Sequence, residues 1–313
     1  MKGLYDMYDA TPGSRRGRRT EHKHANSGEK RDEENVPKLD ENSNVFKAFK
    51  QYQSELDGRH DKYERLVKLS RDVTIDSKRT IFLLHRSTGS ESKAHIMEEA
   101  EDKLRQIQLT KFKPIAAELQ NEDVHQFLRA ISPGLQEYIE AVSFFHYLRD
   151  GTLVSLEQVQ KDLVFDLNAN LTNPESTRSG SPSAENTSTE NTVKLAEVYV
   201  SPMDYVLGIA DLTGELMRMA INSVGTGDLE LPFTLCSFMR VIHDAFLSFG
   251  NVARELPRKL AVLKQSLQKV ESACYTVQVR GSEIPQHMLV DVISFTKNIH
   301  NDFDDATELC PEN

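Results

Sequence analysis

The stretch SNVFKAFKQYQSELDGRHDKYERLVKLSRDVTIDSKRTIFLLHR (residues 43–86) decides the fold class. Phe49, Tyr52, Leu56, Tyr63, Leu66, Ser70, Val73, Ile81 and Leu84 recur at three- and four-residue spacing, the period of an amphipathic helix. No proline interrupts the run and Gly58 is its only glycine, so nothing in it stops a helix. At 1.5 Å per residue such a helix is about 65 Å long. A rod of that length outreaches one compact core, and oligomerisation is its natural consequence. The basic residues Arg59, Lys62, Arg65, Lys68, Arg71, Lys78, Arg79 and Arg86 drift around the cylinder instead of forming a stripe. They read as a solvated face paired with Glu55, Asp57, Asp61, Glu64 and Asp72, with a minority left over for phosphate contacts.

The helical pattern continues to both sides of later breaks. After the polar STGSESK (87–93) come helical stretches at 94–119 and 121–148, the latter with a kink or restart expected at Pro133-Gly134. SLEQVQKDLVF (155–165) reads as a short amphipathic helix with Ser155 as N-cap. Residues 168–192 are Asn, Ser, Thr, Pro and Glu of low complexity, an insertion between helices that cannot bury enough apolar area to order itself. Helices are then expected over 198–225, opened by Ser-Pro-Met-Asp, over 231–250, over 255–278, and from Pro285 to His300. No stretch reads as a strand. The expected fold is all-α, a bundle of about six to seven long antiparallel helices over 44–300, with polar tails at 1–43 and 301–313.

Composition narrows the function classes. No apolar run approaches the ~18 residues that span a bilayer, and the N-terminus lacks an apolar secretory core, so no membrane role is expected. Cys236, Cys274 and Cys310 lie far apart, which gives neither a zinc pattern nor a disulfide framework. Reduced thiols and an intracellular location are expected. The formal charge of −10 argues against coating nucleic acid by bulk attraction. Arg15, Arg16, Arg18, Arg19, Lys23, Lys30 and Arg31 nevertheless form a basic block that matches a two-part nuclear import signal, and equally a solvated tail.

The chemistry concentrates in two acidic pairs. Glu137 and Glu140 lie three apart, and Asp211 and Glu215 four apart, so each pair shares a helix face. Ala141, Phe144 and Tyr147 continue the first face, and Ile209, Leu212, Leu216, Met217 and Met219 surround the second. Buried like charges need a cation, and hard oxygens in a small cavity suit Mg²⁺ or Mn²⁺. Gly208 and Gly214 point to close backbone approach beside the acids. The competing reading is an exposed acidic face in which Arg218 neutralises Glu215. A di-iron site is a weaker rival, because only Glu122-x-x-His125 has the required motif. His85, His125, His146 and His243 read as core or interface histidines.

Four blocks carry a resemblance: ELDGRHDKYERLVKLSRDVTIDSKRTIFLLHR (55–86), GLQEYIEAVSFFHYL (134–148), DYVLGIADLTGELMRMAINSVGTGD (204–228) and LKQSLQKVESACYTVQVRGSEIP (263–285). In order and together they closely resemble the translin family, specifically its translin-partner subunits. The resemblance implies a translin-like bundle of long helices that closes with translin into a hollow hetero-oligomer. It further implies a Mg²⁺-dependent endoribonuclease acting on nicked passenger strands of small RNA and on tRNA-precursor fragments, in nucleus and cytoplasm. The family's Glu-x-x-Glu falls on Glu137 and Glu140 and its Asp-x-x-x-Glu on Asp211 and Glu215, which makes these four both catalytic and metal-holding. An acidic chain can then act on RNA, because translin supplies much of the binding surface. A non-catalytic adaptor that stabilises translin is the alternative.

Overall fold

The computed structural model describes residues 43–87, 93–168, 194–250 and 252–280. Helix α1 runs Asn44–His85, and the chain divides within it into two compact units, Met1–Gln53 and Ser54–Asn313. In the first unit Phe49 packs edge-on to Tyr52 and the Lys50 ammonium lies over Phe46, with Val45, Phe49 and Tyr52 exposed. In the second, the apolar line of α1 turns inward: Leu66, Val73, Ile81 and Leu84 are buried.

The second unit contains α2 (Lys93–Ile107), a π-helical turn (Gln108–Phe112), α3 (Lys113–Leu119), α4 (Val124–Asp150), α5 (Leu156–Asp162), α6 (Pro202–Thr226), α7 (Leu231–Ser248) and α8 (Leu256–Arg280). Their ends follow local chemistry. Ser155 accepts from the Gln158 amide and caps α5, and Ser201 accepts from the Asp204 amide and caps α6, with Pro202 in the first turn. Gly151 and Gly227 close α4 and α6 at positive φ, 71° and 90°, where a side chain would be strained. Helix α4 packs against α6 and α2, and α6 against α7 and α8. Tyr138, Phe112, Phe144, Leu135 and Leu212 lie at the centre of the core.

Two expectations need correction. Helix α4 does not restart at Pro133; it runs through as one element with the proline inside it. The Gly134 amide donates instead to Ser70 Oγ at 3.0 Å, and a Cβ on Gly134 would stand 2.5 Å from the Ser70 carbonyl oxygen. The Pro-Gly pair therefore marks a helix crossing: the missing side chain admits α1, and Ser70 takes up a backbone donor.

Strands also occur. Val164–Asp166 (β1) pairs antiparallel with Leu195–Glu197 (β2), Phe165 opposite Ala196, both buried. Bonds from Leu167 to Lys194 and from Val198 to Leu163 extend the ladder at each end. The chain leaving α5 and the chain entering α6 run side by side, and each satisfies the other's backbone groups. Such a ribbon depends on residues 30 apart in sequence, beyond the reach of a local pattern. The expected 168–192 insertion, the last helix from Pro285, and the 1–43 and 301–313 tails lie outside the described residues, Ser43 and Asn168 apart.

Cys236 of α7 and Cys274 of α8 are free and buried, as expected of reduced thiols. Burial pushes both thiols up, that of Cys274 to about 12, helped by the neighbouring Cys236. They are core groups and poor nucleophiles.

Candidate metal centre

Helices α4 and α6 meet most tightly at Gly208. A Cβ there would stand 2.7 Å from Ile139 Cγ2 and 2.9 Å from the Gln136 carbonyl oxygen. This contact lies within one turn of Glu137, Glu140 and Asp211, so it is what draws the two acidic faces together. Gly214 is different: among the described residues no atom of another element lies within 4 Å of its missing Cβ, so none makes the close approach expected there. A second clamp holds the α6 N-terminus. Buried Asp204 accepts from Ser132 Oγ at 3.2 Å, Gln136 Nε2 at 2.8 Å and Ser201 Oγ at 2.7 Å.

All four expected acids reach one electrostatic neighbourhood. Glu140 is only 8% exposed. Burial, then the charges of Glu137, Asp211 and Glu215, push its carboxyl up to about 8. Burial likewise raises Glu137, against the Lys78 ammonium 3.4 Å from its Oε2. Burial also pushes Glu215 upward, but the His85 hydrogen bond and the charges of Arg218, His85 and Lys78 outweigh it and hold the carboxyl below its usual range. His85 Nε2 lies 2.5 Å from Glu215 Oε2, and Arg218 Nε 3.2 Å from the same oxygen. Lys259 Nζ reaches Asp211 Oδ1 at 2.5 Å and Oδ2 at 2.7 Å.

Sequence reasoning missed Lys78, His85 and Lys259 as members of this cluster. A signal existed for two of them: Lys78 and His85 lie seven apart on α1, on one face. His85 is tilted against Phe144, as a core histidine is, and meets an acid with its other edge. Lys259 lies 44 residues beyond Glu215, and nothing in its own helix marks it. Arg218 does neutralise Glu215, as the competing reading expected.

The four acids share a field but not a common point. Among the described residues no group of three or more His, Cys, Asp or Glu side chains stands in metal-ligand geometry. Three of the acids lean instead toward their own cations. Glu140 is the exception, with no hydrogen-bond or ion-pair partner among the described residues. An isolated buried carboxylate costs several kcal/mol or gives up its charge. A carboxyl held near 8 beside three other acids fits a hard divalent cation, and the all-oxygen donor set suits Mg²⁺ or Mn²⁺.

The rival constellations do not form. Glu122 is engaged by Lys62, and His125 meets the Tyr199 ring edge-on. His146 lies beside Arg149 and His243 beside Asp244. Several basics of α1 are tied to acids, as expected of a solvated face, though not always the acids nearest in sequence. Arg59 pairs with Glu55, Arg65 crosses to Glu118, and Asp72 is taken by Lys111.

An all-α bundle with a carboxylate cluster between two core helices defines the class of this protein. The chain belongs to the translin family, which residues 61–281 match. It is similar to translin-associated protein X of Rattus norvegicus, 51% identical over 253 residues, or 80% of this chain and 84% of the relative. Among solved structures the fold is similar to that of AfC3PO, with TM-score 0.52 and 19% identity over 74% of this chain and 97% of that one. It is also similar to AfC3PO in a duplex RNA complex, with TM-score 0.50 and 18% identity over 76% and 100%.

Proposed function

We propose that this chain is the metal-dependent RNA-cleaving subunit of a hetero-oligomer with translin. Glu137, Glu140, Asp211 and Glu215 hold Mg²⁺, or Mn²⁺, and the substrates are single-stranded or nicked RNAs, such as small-RNA passenger-strand and tRNA-precursor fragments. One observation carries the reading: Glu140, 8% exposed and with no hydrogen-bond or ion-pair partner among the described residues, feels the charge of three further acids from the same two helices. Kinship to translin-associated protein X and the fold shared with an RNA-bound structure support it.

A divalent cation bound there supplies positive charge for a phosphate oxyanion and acidifies water. The chain's own residues do the rest. Glu137, more open than Glu140 and steadied by Lys78, is placed to orient water and accept its proton. Phe144 of α4 and Leu212 of α6, both fully buried, give the acids apolar neighbours on their own helices, and a low-dielectric surrounding strengthens charge interactions. Lys78, 64% exposed and 3.4 Å from Glu137, is the lysine of the cluster better able to turn to a phosphate.

Substitution in the reconstituted complex tests this. Glu140→Gln and Asp211→Asn each lower RNA cleavage at least ~100-fold, with assembly intact by size-exclusion chromatography. Full activity in both variants would remove the assignment. The adaptor reading has its own support, since three of the acids already carry cations within the chain. It predicts that neutralising the acids stabilises the fold and leaves cleavage unchanged.

In the same proposal residues 44–300 form one translin-like domain with 168–192 as an insertion and tails at 1–43 and 301–313. The Arg15–Arg31 block directs part of a cytoplasmic pool to the nucleus through an import receptor. Replacing Arg18, Arg19, Lys30 and Arg31 by Ala and imaging the tagged chain tests that. An unchanged nuclear fraction refutes it.

A further inference from the structure

We propose that Lys259 is a built-in counter-ion of Asp211, and that a divalent cation held by the four acids has to displace it from that carboxylate. The proposal rests on the reading that the four acids hold a metal.

Three observations carry it. Lys259 Nζ contacts both oxygens of Asp211, at 2.5 and 2.7 Å, so one ammonium bridges the carboxylate as a metal ion does. The other lysine of the cluster is looser: Lys78 approaches Glu137 at 3.4 Å, on one oxygen, and is 64% exposed. Second, Lys259 stands with Arg258 in the first turn of α8, where the helix dipole disfavours cations and no helical position is acidic, Glu255 lying just before the helix. Its position is unfavourable for its own helix, and the contact that compensates lies on α6. Third, the lysine side chain is 31% exposed. A four-carbon stem lets the ammonium swing to water while its methylenes stay packed, so departure needs no backbone movement.

These features separate Lys259 from His85, whose ring lies more deeply buried between Glu215 and Phe144. His85 orders its acid. Lys259 neutralises its acid and can leave.

The consequence is competition. A dication arriving between α4 and α6 meets an ammonium already on Asp211, and metal affinity is lowered by the free energy of that contact. Loss of this partly exposed ion pair and relief of cation–cation repulsion together change affinity by about tenfold, equivalent to about 1.4 kcal/mol.

The test titrates Mn²⁺ into the full chain, in the assembly in which it purifies, by calorimetry and by loss of the free-ion electron paramagnetic resonance signal. Lys259→Met is expected to bind Mn²⁺ about tenfold more tightly than the unaltered chain. Lys264→Met, an exposed lysine of the same helix, is expected to match the unaltered chain. Lys259→Arg is expected to bind no better than the unaltered chain, because a guanidinium forks onto a carboxylate as well. Without metal, Lys259→Met melts at a lower temperature, and saturating Mn²⁺ raises its melting point more than that of the unaltered chain. Lys259→Gln serves if the Met variant does not fold.

Equal or weaker Mn²⁺ binding by a folded Lys259 variant, with the unaltered chain binding normally, overturns the proposal and leaves the metal site standing. Undetectable binding by every form, in folded protein, takes down the metal reading and this proposal with it.

Discussion

Asp204 and Glu140 are both buried acids at the α4–α6 contact, 5% and 8% exposed, and they have opposite surroundings. Asp204 accepts hydrogen bonds from Ser132 and Gln136, which tie α6 to α4, and from Ser201, the cap of its own helix. Glu140 has no such donor among the described residues and feels the charges of three other carboxyls. Burial alone therefore does not mark a functional acid. A satisfied buried carboxylate is a structural clamp; an unsatisfied one among like charges is a place for a cation.

Exchanging the amide for the acid separates these roles, and the largest expected effect is on catalysis. Glu140→Gln removes RNA cleavage, at least ~100-fold by single-turnover assay, whereas Asp204→Asn retains it within a few-fold. Equal losses in both would erase the distinction. Stability is expected to run the other way. Asp204→Ala leaves several donors unpaired and costs about 2–4 kcal/mol, read as a lower urea midpoint at unchanged slope.

The contact that brings the acids together can be broken independently. Gly208→Val drives a side chain into Ile139 and the Gln136 carbonyl, costing about 1–3 kcal/mol, and weakens Mn²⁺ binding; Gly214→Ala, with open space around it, is expected to be neutral or stabilising. A Gly208 variant with unaltered metal affinity would show that the acids do not depend on this approach.

A pH series sharpens the comparison further. Folded Glu140 holds its proton up to about 8, whereas an ordinary glutamate releases it near 4.5. Between those values the folded chain binds more protons than the unfolded one, so metal-free stability falls as pH rises. Glu137, also raised by burial, acts in the same direction. Glu215, held low by His85 and Arg218 against its burial, acts oppositely and loses its contribution as pH falls below 4.5. Glu140→Gln should therefore raise the melting temperature at pH 8 by several degrees and hardly change it at pH 5, with metal chelated. An equal rise at both would deny the elevated carboxyl. The smallest effect expected is that of Arg59→Ala, whose exposed partner Glu55 is one turn away: about 0.5 kcal/mol or less.

The sequence carried most of the fold. Periodicity of 3.6 residues is set by neighbours within a turn or two, so α1, α6 and α8 were legible to within a few residues of their ends, and the Ser155 and Ser201 caps follow from adjacent residues. Where the sequence misled, the deciding partner was remote. Pro133-Gly134 reads as a break until Ser70 of another helix supplies the partner for the Gly134 amide. The β1–β2 ribbon exists only because two distant segments run together.

The site divides along the same line. Spacing and family resemblance assigned Glu137, Glu140, Asp211 and Glu215 to shared helix faces, because helical geometry alone puts residues three and four apart side by side. Tertiary packing decided their electrostatic company: Gly208 pressed α6 onto α4, Lys259 came to Asp211 from α8, His85 came to Glu215 from α1, and Glu140 was left without a partner among the described residues. A local pattern fixes which face a side chain is on; the charge it meets there is set by helices far away in sequence, and Coulomb interactions depend on distance in space.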